Sequence, residues 1–438
     1  MAFNSLLFIF FFLPIFLLLF YVVPKKCKIY VLLLFSIIFY YFSGLFNLII
    51  LLAVTLFNYL YSFVINKYRN KFVLIINLLI NLVVLGLFKY NTNLVLPLGI
   101  SFYTFNNISY IVDLYNKKCS IIKNIFYYFT SSMLFTHVTM GPISKYSDLY
   151  ENLKDFDYKD EDIYSGFRRF LSGLIKKVLV ADNLGLLVSN LGAISDKSSL
   201  VCLLYLVSFA LQLYIDFASY SDMAIGLGKM IGLKYKENFD YPYIAKSITD
   251  YWRRWHISLS TFFRDYVYIP LGGNRVGVFR HIINLLIVWC LTGIWHGRTI
   301  NFMLWGLYYG IILIIEKYVL KDKLSKLPNF LQHIYTVVIF LFGYIFFSIS
   351  DFNEMGHFIR SLFTNHYLDS NFVFYFKENI LLLVVGITLC FKLPDKIKKL
   401  LDNKYVSILS VICYIGLFIL VISYILGGSF SPFLYTNF

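Results

Sequence analysis

The stretch His281-Ile-Ile-Asn-Leu-Leu-Ile-Val-Trp-Cys-Leu-Thr-Gly-Ile-Trp-His-Gly297 combines an apolar run with a histidine at its end. Apolar runs of about this length predict a transmembrane helix, because a bilayer can cover hydrocarbon that a soluble fold would expose. The imidazole of His296 titrates near neutrality in water, so it can accept and return a proton. Gly293 and Gly297 flank it and would let another backbone or a ligand approach closely. The stretch therefore predicts a membrane protein that carries a reactive group.

The composition extends this prediction to the whole chain. Of 438 residues, 59% are apolar and 14% are charged, whereas soluble domains carry about 25% charged residues. We expect an all-α polytopic membrane protein, a single integral-membrane domain over residues 1–438 with about 11–13 spanning or re-entrant helices around a central cavity. Residues 3–23 lack a basic leader and a cleavage site, so we expect an uncleaved first helix. Further helices are expected near residues 29–43, 45–66, 72–89, 98–115, 122–141, 170–190, 200–217, 281–297, 300–319, 331–349, 374–391 and 405–427.

The net charge of +15 comes from basic residues grouped in short clusters at the ends of the predicted helices. They form no stripe along one face, which argues against a nucleic-acid partner. Placing the clusters in the cytoplasm puts both termini outside. The clusters include Lys25, Lys26 and Lys28, then Lys67, Arg69 and Lys71, then Lys317, Lys321, Lys323 and Lys326. A separate amphipathic run with Arg168, Arg169, Lys176 and Lys177 predicts a helix lying on the membrane surface.

Residues 218–280 interrupt the apolar pattern. The segment is too polar to span a bilayer in one piece and too aromatic for an unstructured loop. Irregular backbone at membrane depth persists only where protein or a water-filled cavity satisfies its polar groups. We therefore expect a cavity here. The segment contains Asp250-Tyr-Trp-Arg-Arg-Trp-His-Ile-Ser-Leu-Ser260, and all five tryptophans of the protein lie between residues 252 and 305.

Within that run, the spacing of Trp252, Trp255 and His256 predicts that they share one face of a helix. Arg253 and Arg254 would point elsewhere, towards phosphates at the cytoplasmic surface. A histidine on the aromatic face favours a catalytic or substrate-orienting role for His256. The alternative is an aromatic and basic belt at the membrane interface.

Other polar residues leave two interpretations each. Arg264 and Asp265 are either a structural ion pair or part of a substrate site. Asp216 and Asp222 would orient a histidine or pair with an arginine. Tyr435 lies in an aromatic, uncharged C-terminal segment. This pattern predicts either anchoring at the membrane interface or a hydroxyl that reaches the active site and briefly carries an acyl group.

Motifs for bound cofactors and metals are missing from the sequence. The six cysteines are scattered singly, which predicts neither a disulfide framework nor a metal site. The chain has no P-loop, no GxSxG elbow and no HExxH motif. We expect no bound cofactor and no metal.

Seven segments, taken in order along the chain, resemble the membrane-bound O-acyltransferase family, most closely its bacterial branch of alginate and peptidoglycan O-acetyltransferases. The resemblance covers a signature core from about residue 96 to residue 310 and the tyrosine-bearing segment 431–438. It rests on Leu96–Phe105, Gly141-Pro142, Asp250–Ser260, Phe263–Arg275, Leu291–Gly297, Asn301–Gly306 and Phe433–Phe438.

The resemblance implies that His296 is the family's essential histidine and acts as general base, and that His256 orients the substrate or the first histidine. It implies acetyl-CoA as the donor substrate, a multi-pass location in the bacterial cytoplasmic membrane, and a periplasmic or extracellular esterase-fold acetyltransferase as partner. The acceptor would be peptidoglycan or an exopolysaccharide. Residues expected to bind or orient substrate are Trp252, Arg253, Arg254, Trp255, Arg264, Asp265 and Asn301.

One departure from the family pattern is Arg298, whose charge beside His296 could pull that histidine towards the surface. Two alternative functions remain at this point. The first is transfer of D-alanine to teichoic acids by a related enzyme. The second is transport of a glycan precursor, although the inverted repeats typical of transporters are not detected.

Overall fold

Eight helices in the part of the chain that the structure describes are long and apolar enough to cross a membrane. The computed structural model describes residues 1–364, 366–393, 395–401, 403–428 and 433–434, so Tyr435 lies outside the described residues. These residues form helices, turns and loops, and no strand is found among them. The prediction of an all-α, multi-pass membrane protein is confirmed.

The chain divides into two units, each described here by itself. The first comprises Met1–Leu174 and Tyr220–Glu237, and the second Ile175–Ser219 and Asn238–Leu434. Helices that begin in the first unit are α1 (Leu13–Val22), α2 (Lys28–Tyr41), α3 (Leu45–Tyr68), α4 (Lys71–Tyr90), α5 (Ile100–Tyr115), α6 (Ile125–Met133), α7 (Tyr146–Asp155) and α8 (Asp160–Ile175).

Amide side chains join α3 to α4 in the first unit. Asn58 and Asn81 exchange hydrogen bonds between their side-chain amides at 2.9 and 3.0 Å, and Asn77 donates to Asn58 at 3.1 Å. Polar bonds of this kind hold membrane helices together, because lipid offers no hydrophobic force between apolar surfaces. Beside them, α5 is buried along nearly its whole length, and the amide of Asn106 donates to the Ser131 carbonyl at 3.1 Å.

Helices of the second unit surround the polar segment that interrupts the apolar pattern. They are α9 (Asp182–Gly192), α10 (Ser199–Met230, whose last turns belong to the first unit), α11 (Ile248–Arg254), α12 (Ile257–Phe263), α13 (Val278–His296), α14 (Ile300–Ile315), α15 (Asn329–Ser348), α16 (Phe352–Thr364), α17 (Ser370–Leu389), α18 (Asp395–Leu401) and α19 (Lys404–Leu426). Short π or 3-10 turns occur at Phe8–Phe12, Lys25–Cys27, Lys176–Ala181, Pro242–Ile244, Arg264–Tyr268, Glu316–Leu320 and Lys321–Lys326.

Burial separates the central helices from the peripheral ones. The apolar part of α10 is 72% buried, whereas Ile408–Leu426 within α19 is 6% buried. Helix α10 is therefore a core element, and α19 presents its side chains to lipid.

Several predicted spans are shorter than a bilayer requires. The helices found at 29–43, 98–115 and 122–141 are α2, α5 and α6, with 14, 16 and 9 residues.

The prediction of a helix lying on the membrane surface at Arg168–Lys177 is wrong in part. Lys177 is buried within an ion cluster, and Arg169 binds the carboxylates of Asp222 at 2.9 Å and Glu237 at 2.7 Å. Patterns of charge and hydropathy did not reveal these pairs; the partners of Arg169 lie 53 and 68 positions away, and one partner of Lys177 lies five positions away.

Glycines bring α13 and α14 into backbone contact. A Cβ atom at Gly306 would overlap the carbonyl oxygen of Trp289, and one at Gly293 would overlap the carbonyl oxygen of Phe302. The close approach expected at Gly293 is confirmed. Small residues at such a crossing let two membrane helices pack through their backbones.

We predict that Gly306→Ala destabilises the protein by about 1–3 kcal/mol, because the added methyl group forces two backbones apart. Thermal unfolding of the purified protein in detergent measures this as a lower Tm. Gly86→Ala is the matched control, since a Cβ atom there meets no atom within 4 Å. Equal Tm values for the two variants would contradict the packing described for α13 and α14.

Candidate active site

A cavity of about 820 Å³ in the second unit has both His256 and His296 in its wall. It lies where the polar segment predicted one. Aromatic and cationic residues are prominent in its wall. Trp252, Trp255, Trp289 and Phe263 are apolar, and Lys246, Arg253, Arg264, Lys317 and Lys321 are cationic. These five cations are exposed, whereas both histidines are buried. The cavity therefore runs from a basic mouth to a buried imidazole pair.

His296 is held by the backbone of its own helix. Its Nδ1 lies 2.7 Å from the carbonyl oxygen of Thr292. A carbonyl only accepts, so Nδ1 carries the proton and the neutral ring has its lone pair on Nε2. His296 is 2% exposed, whereas its neighbour Arg298 is exposed. The arginine therefore does not draw the histidine to the surface.

Aromatic rings enclose His296. The ring centroids of Trp295 and Trp305 each lie 4.6 Å from the imidazole centroid, and that of Phe347 lies 5.8 Å away. Trp252 packs in turn against Trp289 and Trp305 at 4.6 and 5.6 Å. These rings lower the local polarity around the imidazole, which strengthens electrostatic interactions there.

His256 does not share a helical face with Trp252 and Trp255, so that prediction is wrong. Helix α11 ends at Arg254, Trp255 is extended, and His256 is left-handed with φ 44° before α12 begins. A left-handed histidine is an uncommon, strained conformation of the kind found at functional sites. The turn nevertheless places all three side chains in the cavity wall.

Asn238 orients His256. Its Oδ1 accepts hydrogen bonds from the Ser258 amide at 3.1 Å and the Ser258 hydroxyl at 2.8 Å, and it lies 3.2 Å from His256 Nδ1. Nδ1 is therefore the donor, and the lone pair lies on Nε2. That nitrogen is buried without a hydrogen-bond partner among the described residues. Burial lowers the pKa of His256, and charge on His296 would lower the pKa further. His256 is consequently neutral near pH 7.

Glu316 holds the start of α11 from a position far along the chain. Its carboxylate accepts hydrogen bonds from the backbone amides of Ile248 at 2.6 Å and Thr249 at 2.8 Å, and from the Thr249 hydroxyl at 2.6 Å. The first amides of a helix have no partner within it, and a carboxylate there is favoured by the helix dipole. This contact fixes the helix that leads into His256.

Only some of the charged residues predicted to bind substrate line the cavity. Arg253 and Arg264 line the cavity. Arg254 instead pairs with Asp250 at 2.9 Å and Asp240 at 3.1 Å, and Asp265 accepts from Arg264 at 2.8 Å.

Asn301 is also placed away from the cavity wall, because its amide donates to the Phe346 carbonyl at 2.8 Å. Asp222 pairs with an arginine, as one of its two interpretations predicted. Asp216 pairs with Lys177, so both interpretations of Asp216 were wrong about its partner. No group of three potential metal ligands is found among the described residues.

Asn238 and Glu316 were missed at the sequence level. Asn238 lies eighteen positions before His256. Glu316 directly follows the apolar helix α14. The signal for Glu316 was its position, since an acidic residue next to a membrane helix is costly unless it has partners. Asn238 gave no such signal.

We predict that Asn238→Ala leaves His256 and Ser258 without their shared acceptor and costs about 1–3 kcal/mol of stability. Unfolding in detergent measures the loss as a lower Tm. Asn379→Ala is the matched control, because the Asn379 amide donates only to the Tyr375 carbonyl of its own helix at 3.0 Å. A Tm loss no larger than that of the control would contradict the role assigned to Asn238.

Comparison with known proteins assigns the sequence to a family. Residues 35–359 match the model of the membrane-bound O-acyltransferase family. The chain is 36% identical to a probable alginate O-acetylase of Azotobacter vinelandii, over 83% of this chain and 78% of that protein. It is 34% identical to the peptidoglycan O-acetyltransferase of Helicobacter pylori, over 72% and 70%.

The chain is also 29% identical to the teichoic acid D-alanyltransferase of Bacillus subtilis, over 60% of this chain and 71% of that protein. Identity and coverage of this chain are both higher for the two O-acetyltransferases. The chain therefore belongs to the membrane-bound O-acyltransferase family, as a multi-pass membrane enzyme that transfers acyl groups to hydroxyl oxygens.

Proposed function

We propose that this enzyme takes an acetyl group from cytoplasmic acetyl-CoA and passes it across the membrane for O-acetylation of a cell-surface or secreted polysaccharide. The observation that carries the proposal is the cavity that joins an exposed basic mouth to His256 and His296. Relatives named for alginate and for peptidoglycan both act on polysaccharides, which supports that acceptor class.

The mouth of the cavity suits a phosphorylated thioester. Lys246, Arg253, Arg264, Lys317 and Lys321 contribute five positive charges, and Asp250 and Glu316 contribute two negative ones. Coenzyme A carries several phosphate charges at one end and the thioester at the other. Cations at the mouth would hold the phosphates while the thioester reaches the histidines. The positive-inside pattern places Lys317 and Lys321 in the cytoplasm, where the donor is made.

His296 is proposed as general base. A hydroxyl oxygen attacks the thioester carbonyl carbon, so that a C–O bond forms and the C–S bond breaks. The hydroxyl proton passes to Nε2 of His296 and from there to the leaving thiolate. The bond from Nδ1 to Thr292 supports this role, because it keeps the lone pair on the nitrogen opposite to the helix backbone.

His256 is proposed to assist at the same cavity. Its neutral Nε2 is an acceptor that can orient the attacking hydroxyl, while Asn238 holds the other nitrogen. Keeping one imidazole neutral also lets its partner take a proton without a neighbouring positive charge.

The route of the acetyl group beyond the cavity involves two further proposals. Tyr435 would accept it first, as a tyrosyl ester, and a separate esterase-fold acetyltransferase would then move it to the polysaccharide. This partner is expected on the outer side of a bacterial cytoplasmic membrane. The alternative of D-alanyl transfer is less supported, because that relative is the more distant one.

We predict that His296→Gln lowers the acetyl-transfer rate by about 10²–10⁴-fold, because the base is lost. Base-labile acetate released from purified envelope polymers measures the product, with protein level checked in the same membranes. His333→Gln is the matched control, since His333 is half-buried and is not part of the cavity wall. Wild-type acetate in a folded His296→Gln protein would exclude the proposed base.

We predict that Lys321→Ala raises the KM for acetyl-CoA about two- to fivefold and leaves kcat unchanged, as expected when one exposed phosphate contact is lost. The effect should shrink as salt screens the charge. Lys323→Ala is the control, because Lys323 lies in the same turn and is absent from the cavity wall. Equal KM values for both variants at low salt would contradict a phosphate site at this mouth.

A further inference from the structure

A buried ion cluster in the second unit has no part in the proposed chemistry. Lys177 Nζ donates to Asp182 Oδ1 at 2.6 Å and to Asp216 Oδ1 at 2.7 Å. The three side chains are at most 8% exposed, and Asp216 lies in α10, the most buried of the membrane-spanning helices. Charges inside a membrane protein are costly and usually mark a functional position.

The cluster contacts residues 433 and 434. Asp216 Oδ2, the other oxygen of this carboxylate, accepts the backbone amide of Leu434 at 2.8 Å. The ring of Phe433 covers Lys177, with its centroid 4.5 Å from Nζ. Phe433 is 2% exposed. Leu434 is thus bound to a side chain 218 positions earlier in the sequence, and Phe433 contacts the lysine of the same cluster.

Charge explains why a backbone amide is recognised here. One lysine faces two carboxyl groups, and Asp216 uses one oxygen for the lysine and the other for the Leu434 amide. A hydrogen bond from a neutral amide to a carboxylate is stronger than one to a neutral acceptor. The lysine, in turn, attracts the face of an aromatic ring. An aromatic residue followed by a residue with a backbone N–H group therefore matches the cluster: the ring contacts the lysine and the N–H group donates to the carboxylate. Asp182 Oδ2 is also buried, without a partner among the described residues.

We propose that Lys177, Asp182 and Asp216 form the binding site for the C-terminal segment, and that Asp216 and Lys177 act as positioning residues for Tyr435. The segment is recognised through the Phe433 ring and the Leu434 amide. The positioning of Tyr435 rests on the proposed acyl relay, whereas the binding of residues 433–434 does not.

Hydrogen exchange at the Leu434 amide tests the binding site without any enzyme activity. The full-length protein in lipid nanodiscs is labelled with deuterium, digested, and followed by mass in the peptide that contains Leu434. Asp216→Asn keeps an acceptor and leaves Lys177 paired with Asp182, so the protein should fold. We expect exchange of the Leu434 amide to be about tenfold faster, as a charged acceptor becomes a neutral one.

Two further variants provide a second test of the binding site and a matched control. Phe433→Ala changes only the bound segment and should also speed exchange at Leu434. Asp222→Asn is the matched control, because it makes the same change in the same helix at a carboxylate that pairs with Arg169. Wild-type exchange at Leu434 in both Asp216→Asn and Phe433→Ala would overturn the binding site.

Acetyl transfer by the same proteins separates this proposal from the proposed function. If the site positions Tyr435, Asp216→Asn lowers kcat towards the value of Tyr435→Phe while the KM for acetyl-CoA is unchanged. Faster exchange together with wild-type kcat would keep the binding site and reject the positioning role. A wild-type protein that protects Leu434 but transfers no acetyl group would reject the proposed function alone.

Discussion

The hydrogen bond between His296 Nδ1 and the Thr292 carbonyl is the interaction on which the site depends. It links the chemistry to the helix, because the ring keeps one tautomer only while α13 keeps its last turn. That turn is held in place by α14, whose Gly306 lies against α13 and whose Trp305 packs on the imidazole. A single helix pair therefore supplies His296, its tautomer and two of the rings packed against it.

His256 is held by a hydrogen bond to a residue outside the two helices that flank it. His256 occupies a break between two short helices, and its left-handed backbone would be unstable in isolation. Asn238 restrains the break directly through His256 and Ser258, and Glu316 holds the start of the preceding helix at Ile248. The two imidazoles thus reach one cavity from a continuous membrane helix and from an irregular segment, which lets each be oriented independently.

The fold class and the cavity could be predicted from sequence because both follow from local composition. Apolar runs indicate spans, and a polar, aromatic interruption at membrane depth indicates a cavity. The prediction failed where the decisive partner is remote. Lys177 reads as a surface charge from its neighbours, yet its partner Asp216 is 39 positions away. The helical face expected for Trp252, Trp255 and His256 failed because α11 ends at Arg254, although the cavity still includes all three residues.

The uneven burial of the membrane helices has a consequence for how the protein behaves outside its bilayer. Helix α19 leaves nearly all of Ile408–Leu426 for lipid to cover, whereas most of the apolar part of α10 is covered by protein. Extraction into detergent therefore replaces nearly every neighbour of α19 and few neighbours of α10. The melting of a detergent-solubilised sample reports on the protein-packed core. The position and tilt of the last helix follow instead from the thickness and composition of the surrounding lipid.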